Sequence, residues 1–131
     1  MTKTIFSQII DGEIPCHKIY EDDKVLAFLD IHPISAGHTL VIPKNPVQFV
    51  WDLPADDYQA LMAAAKKIAT HMRKTLEIPY IGEQIVGVDV PHAHVHLVPF
   101  TSVSEYRNVP DMTTEPDHAE LAKLAETLRL A

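Results

Sequence analysis

Apolar positions along this chain follow a helical period at the start, a strand period in the first third, and a long helical stripe in the middle. Ile5, Phe6, Ile9 and Ile10 fall at helical spacing ahead of Asp11-Gly12, where glycine tolerates the left-handed backbone that ends a helix. The spacing predicts a short amphipathic opening helix. Residues 18 to 31 read as two strands hinged at Glu21-Asp22-Asp23, with Leu26, Phe28 and Asp30 on one face and Val25, Ala27, Leu29 and Ile31 on the other. A carboxylate among apolar neighbours is the first odd feature. Pro33 to Gly37 supplies turn residues, and His38-Thr39-Leu40-Val41-Ile42-Pro43 has the composition of a central strand stopped by proline.

Tyr58, Leu61, Met62, Ala65, Ile68, Ala69, Met72 and Leu76 trace a stripe of 3.6-residue period, predicting a helix over 54–76. Acidic residues gather near its start (Asp52, Asp56, Asp57) and basic ones later (Lys66, Lys67, Arg73, Lys74), as the macrodipole favours. Glu83 to Val90 and His94 to Phe100 read as two further strands, separated at Pro91. Thr114-Glu115-Pro116-Asp117 resembles a capping box with proline in the first turn, opening a shorter helix marked by Leu121, Leu124 and Leu128. Thr101 to Thr114 reads as a loop. Strands, a long helix, then strands again predict a single α+β domain over 1–131 with a five-stranded, mostly antiparallel sheet.

Composition narrows the function classes. At 131 residues and 47% hydrophobic content the chain suits one compact core. No stretch approaches the ~20 apolar residues of a membrane span, and the start lacks a secretory signal, so a soluble cytoplasmic protein that does not engage membrane is the expectation. Cys16 is the single cysteine, which removes an internal disulfide and a multi-cysteine zinc site from one chain. The net charge of -7 would repel a polynucleotide, whereas a small phosphate ligand could be held by local dipoles and histidines.

The informative chemistry lies in Pro91-His92-Ala93-His94-Val95-His96-Leu97-Val98-Pro99-Phe100. Three histidines alternate with Ala93, Val95 and Leu97, so an extended strand would present the imidazoles on one face and pack the apolar residues on the other. Such a row has three readings: a half-buried strand with polar histidines, a set of metal ligands, or a catalytic imidazole cluster. A neutral imidazole is a competent nucleophile near neutral pH when one nitrogen donates a hydrogen bond and the other faces the electrophile. Neighbouring imidazoles can then stabilise charge on phosphoryl oxygens.

The segment resembles the signature of the histidine-triad nucleotide-binding proteins, His-x-His-x-His followed by two apolar residues, through His92, His94, His96, Leu97 and Val98. The resemblance extends through Ile5-Phe6, Gly12-Glu13-Ile14-Pro15, Tyr20-Glu21-Asp22-Asp23, Phe28-Leu29-Asp30-Ile31 and Gly37-His38-Thr39-Leu40-Val41-Ile42-Pro43-Lys44. It implies an α+β fold that dimerises into one continuous sheet, with a purine mononucleotide in each cleft; no cofactor is expected, and metal binding by the histidines stays the alternative. His94 would be the nucleophile forming a nucleotidyl-histidine intermediate, His96 would bond the α-phosphate, and His92 would help to orient His94. His38 would complete the cluster and Asp30 would hold the ribose hydroxyls. Phe6, Ile9, Phe28, Ile31 and Leu40, ordinary core residues by their own context, would line the base pocket. His17, His32, His71 and His118 fall outside these blocks and read as structural or solvated.

The sequence departs from the family in places. Many members carry a polar run with a hydroxyl just before the triad; here Gly87-Val88-Asp89-Val90-Pro91 puts a carboxylate, Asp89, at that position. Asp89 beside a phosphate would repel it unless it pairs with an imidazolium, orients a histidine or faces a cationic leaving amine. The N-terminal zinc-binding cysteines of some members are replaced by Phe6-Ser7-Gln8, so that structural zinc is not expected. His96 stands where the transferase branch has glutamine, which favours hydrolysis over transfer. The leading expectation is hydrolysis of a nucleoside 5′-phosphoramidate or adenylylated amine. The alternatives are cleavage of a dinucleoside polyphosphate and a nucleotide-binding interaction protein with incidental catalysis.

Overall fold

The computed structural model describes residues 3–130. Helix α1 (Ile5–Ile10) begins where the Thr4 side chain accepts the Ser7 amide at 3.1 Å, and it ends at Asp11 and Gly12, the latter at φ +80°. Strands β1 (Lys18–Glu21) and β2 (Val25–Leu29) are joined by a turn in which Asp22 Oδ1 accepts the amides of Lys24 and Val25, each at 2.8 Å. Strand β3 (Thr39–Pro43) is followed by a 3-10 turn at Val50–Asp52, then helix α2 (Ala55–Thr75), β4 (Tyr80–Ile85) and β5 (Val95–Phe100). A short helix α3 (Val103–Tyr106) and the closing helix α4 (His118–Leu128) complete the chain.

The sheet order is β1-β2-β3-β5-β4, and every pairing is antiparallel. Its two faces have different fates, as the alternation along β2 predicted. Val25, Ala27, Leu29, Val41, Ala93, Val95 and Leu97 meet the α2 stripe of Leu61, Ala65, Ile68 and Met72, together with Leu121 and Leu128 of α4. Each of the larger side chains contributes about 1.5–3 kcal/mol by leaving water, which makes this layer the main source of stability. The opposite face carries Leu26, Phe28, Leu40 and Ile42, and only Phe6 of the short α1 joins them in a fully buried cluster. A six-residue helix cannot roof a five-stranded sheet, so this side is left with a cleft.

Four elements differ from the sequence reading. The strand expected over Glu83 to Val90 runs instead over Tyr80–Ile85. After Ile85 the chain leaves the sheet, takes φ +80° at Gly87, and is held by Gln48 Nε2 donating to the Gly87 carbonyl at 3.3 Å. It is guided back by the Ala93 amide donating to the Val47 carbonyl at 2.8 Å, so β5 begins at Val95, one residue later than expected. The N-cap of α4 is Asp117, whose side chain accepts the Glu120 amide at 3.1 Å; Pro116 therefore precedes the helix. Within the expected loop 101–114, Ser102 caps α3, and Tyr106 packs over Gly82, where a Cβ would overlap its ring.

Candidate active site

The cleft has a volume of about 490 Å³. Phe28 on β2, Leu40 on β3 and His96 on β5 are register partners in one row across the sheet, forming its floor. Phe6 and Ile9 of α1 close one side, Asp30 and Ile31 extend from the end of β2, and His94 and Asp89 come from the irregular segment before β5. Nine residues named from the sequence thus meet in one cavity: Phe6, Ile9, Phe28, Asp30, Ile31, Leu40, Asp89, His94 and His96.

His38 and His92 stand behind that surface. His92 is fully buried and does not line the cleft, so the row of three imidazoles on one open face is modified. Its position precedes the regular strand, and its Nε2 donates to the Pro43 carbonyl at 2.7 Å. What His92 offers the neighbouring ring is its own backbone carbonyl, 2.7 Å from Nδ1 of His94. A carbonyl only accepts, so the proton of a neutral His94 sits on Nδ1 and Nε2 keeps a lone pair.

Hydrogen-bond partners fix the other two rings in the same way. The Ile34 amide donates to Nδ1 of His38 at 3.0 Å, which puts the His38 proton on Nε2. That nitrogen lies 3.0 Å from Nδ1 of His96 and donates to it, so the proton of His96 is on its own Nε2. Among the described residues, Nδ1 of His92 is the buried side-chain polar atom without a partner. The free Nε2 atoms of His94 and His96 therefore open on the cleft, one as a lone pair and one as an N–H donor.

Burial sets the charge of the cluster. It pushes the His38 ring down to about 4. Burial, reinforced by His94 and His38, pushes His96 down to about 4 as well, and burial also lowers His92. His38 and His96 are thus neutral at physiological pH, as the tautomer chain requires. Burial raises the Asp30 carboxyl; its Oδ1 accepts the His32 amide at 2.8 Å, and its Oδ2 lies 3.6 Å from Nε2 of His38. Phe6 braces the cluster, meeting His94 edge to face at 5.0 Å between centroids, Phe28 at 5.7 Å and His92 at 5.9 Å.

Ligand atoms of Asp30, His38 and His96 lie within 4.8 Å of one another, a grouping that suits a metal ion by distance. The Ile34 amide works against it. A metal on Nε2 of His38 needs the lone pair there and the proton on Nδ1, which would face the amide hydrogen donor to donor.

Sequence reasoning missed three histidines at the mouth. His17, His32 and His118 all line the cleft, which their reading as structural or solvated did not foresee, although His118 is exposed as that reading has it. His17 Nε2 lies 2.9 Å from Nδ1 of His118 with the rings stacked, and His32 Nε2 donates to the Thr114 carbonyl at 3.2 Å. The first contact joins positions 101 residues apart, for which the local pattern holds no signal. Met112 and the half-buried Cys16 also line this mouth.

A family model described as the HIT domain matches residues 11–103. "Protein hit" of Bacillus subtilis is 41% identical over 101 residues, covering 72% of this chain and 69% of that one. "Adenosine 5'-monophosphoramidase HNT1" of Saccharomyces cerevisiae is 34% identical over 125 residues, covering 95% and 79%. Among solved structures, a Hit-like protein from Bartonella henselae superposes with a TM-score of 0.82 at 30% identity, covering 97% of this chain and 95% of that one.

Proposed function

Because this chain belongs to the histidine-triad (HIT) family, we propose that it hydrolyses a purine nucleoside 5′-phosphoramidate or a related adenylylated amine, with His94 attacking the α-phosphorus. The observation that carries this reading is the pairing of fixed tautomers: a lone pair on Nε2 of His94 beside an N–H on Nε2 of His96. A nucleophile and a donor for a phosphoryl oxygen are the two parts that displacement at phosphorus asks for. The name of the yeast relative supports the choice of a phosphoramidate.

In the first step the His94 lone pair forms a bond to phosphorus while the P–N bond breaks. Its electron pair stays on the departing amine, which takes up one proton. Water then attacks the nucleotidyl-histidine, the P–Nε2 bond breaks, and one proton is returned as nucleoside monophosphate leaves. His96 holds a phosphoryl oxygen through both steps, and His38 keeps His96 in the donating tautomer. Asp30 accepts the ribose hydroxyls, and Phe6, Ile9, Phe28, Ile31 and Leu40 bury the base.

The homodimer belongs to the same reading. β1 and β4 are the sheet edges, and β4 is the longer, with Tyr80, Ile81 and Ile85 on it and Lys18 and Glu21 on β1. Pairing of two β4 edges would extend the sheet continuously across the two copies. The test of function is His94→Ala, which should abolish turnover of a nucleoside phosphoramidate while the protein stays folded. An active His94→Ala enzyme removes His94 from the nucleophile's role.

A further inference from the structure

The cleft that holds His94 and His96 has two carboxylates on its wall, Asp30 and Asp89, and no lysine or arginine among the described residues. Beside it lies a second chamber of about 720 Å³ that shares Asp30 and His32 with the cleft. This chamber adds Asp111, Glu115, Asp117 and Glu120 against one basic side chain, Lys123. The buried rings do not redress the balance, because His38 and His96 take protons only at about 4. Asp89 is exposed on the cleft wall with His94 and His96, close enough for its negative charge to act on the His96 ring.

A phosphoramidate monoester brings one negative charge to this place, and neutral N–H donors can meet it. A polyphosphate leaving group brings several more, each of which needs a cation or metal to offset it. With a carboxylate on the wall that carries both His94 and His96, the sign of the charge on the departing group becomes the discriminating quantity.

We propose that Asp89 selects the leaving group, favouring departure of an amine that carries an ammonium group and rejecting polyphosphate anions. The role rests on the phosphoramidate hydrolase reading above. The bond changes are those of that reaction: His94 Nε2 bonds to phosphorus, the P–N pair goes to the amine with one proton, and water later returns one. Asp89 changes none of these bonds. It lowers the energy of a cationic group on the amine side and raises that of an anionic one. At a partly solvated site the effect is about five- to tenfold per unit charge and is weakened by salt.

The test compares kcat/KM for purine nucleoside phosphoramidates of a diamine with a free ammonium, a neutral alkylamine of equal length and an amino acid with a free carboxylate, beside a dinucleoside tetraphosphate. The wild-type protein should rank them in that order, with roughly five- to tenfold steps that shrink in 0.5 M salt. Asp89→Asn should level the ranking, Asp89→Glu should keep it, and Asp89→Lys should invert it. Equal rates across the series in the wild type, or a ranking untouched by Asp89→Asn, overturn the role of Asp89 and leave the hydrolase reading standing. Failure of the wild type to turn over any of the four overturns both.

Discussion

Nε2 of His38 lies 3.0 Å from Nδ1 of His96, and the direction of that hydrogen bond is decided by a third group, the Ile34 amide, 3.0 Å from the far nitrogen of His38. A backbone donor in the β2–β3 connection thus fixes where a proton sits on β5. Peptide planes do not titrate, so the setting is independent of pH as long as the rings stay neutral.

His38→Phe keeps a flat ring of somewhat larger volume and removes both nitrogens. It should lower kcat/KM for a nucleoside phosphoramidate by roughly ten- to a hundredfold through loss of the fixed His96 tautomer. It should also cost about 1–3 kcal/mol of stability, because the Ile34 amide loses its acceptor. Steady-state kinetics and urea melts read the two effects separately. Unchanged kinetics in a destabilised protein would make His38 a packing residue only.

Phe6 joins the apolar cluster to the histidine cluster, touching Phe28, His92 and His94 edge to face. Phe6→Ala should destabilise the protein by about 3 kcal/mol. Phe6→Leu should recover most of that stability and still show reduced kcat, since a leucine lacks the flat edge that holds the His94 ring. A Leu variant with full kcat would remove the bracing role.

Stability should depend on acid in a defined window. In an unfolded chain the rings of His38 and His96 take protons near their ordinary value of 6.5, and in the folded protein only at about 4. Between those values the unfolded state binds more protons, so the contribution is fully present above about 6.5 and is lost as pH falls toward 4. Asp30, whose carboxyl is raised by burial, acts in the opposite sense and offsets part of the loss at the acid end. Urea midpoints at pH 7.5, 6 and 4.5 should fall in that order, and His38→Phe should flatten the dependence.

Much of this was legible in the chain because alternation is a local signal. The face assignments of Leu26 and Phe28 against Val25, Ala27 and Leu29 match the two packed layers, and Ala93, Val95 and Leu97 do pack beneath the histidines, whereas Ile31, expected with Val25, lies past the end of β2 and lines the cleft. The α2 stripe lies within one residue of its expected bounds at either end. What escaped the pattern is non-local. The excursion over 86–94 depends on contacts from Gln48 and Val47, and it turns the His92 ring inward. The pairing of His17 with His118 depends on where α4 begins, which Asp117 decides rather than Thr114. The direction of the proton chain required the Ile34 amide, which every residue type but proline could supply.

In the proposed reaction His94 becomes covalently nucleotidylated. Mixing the wild-type protein with a nucleoside 5′-phosphoramidate, quenching within milliseconds and mapping peptides by mass spectrometry should reveal one nucleoside monophosphate adduct, alkali-stable and acid-labile, on His94. The adduct should vanish in His94→Ala while it still forms in Asp89→Asn. An adduct on His96 or His38, or rapid turnover with no adduct at any time point, would remove His94 from the nucleophile's role.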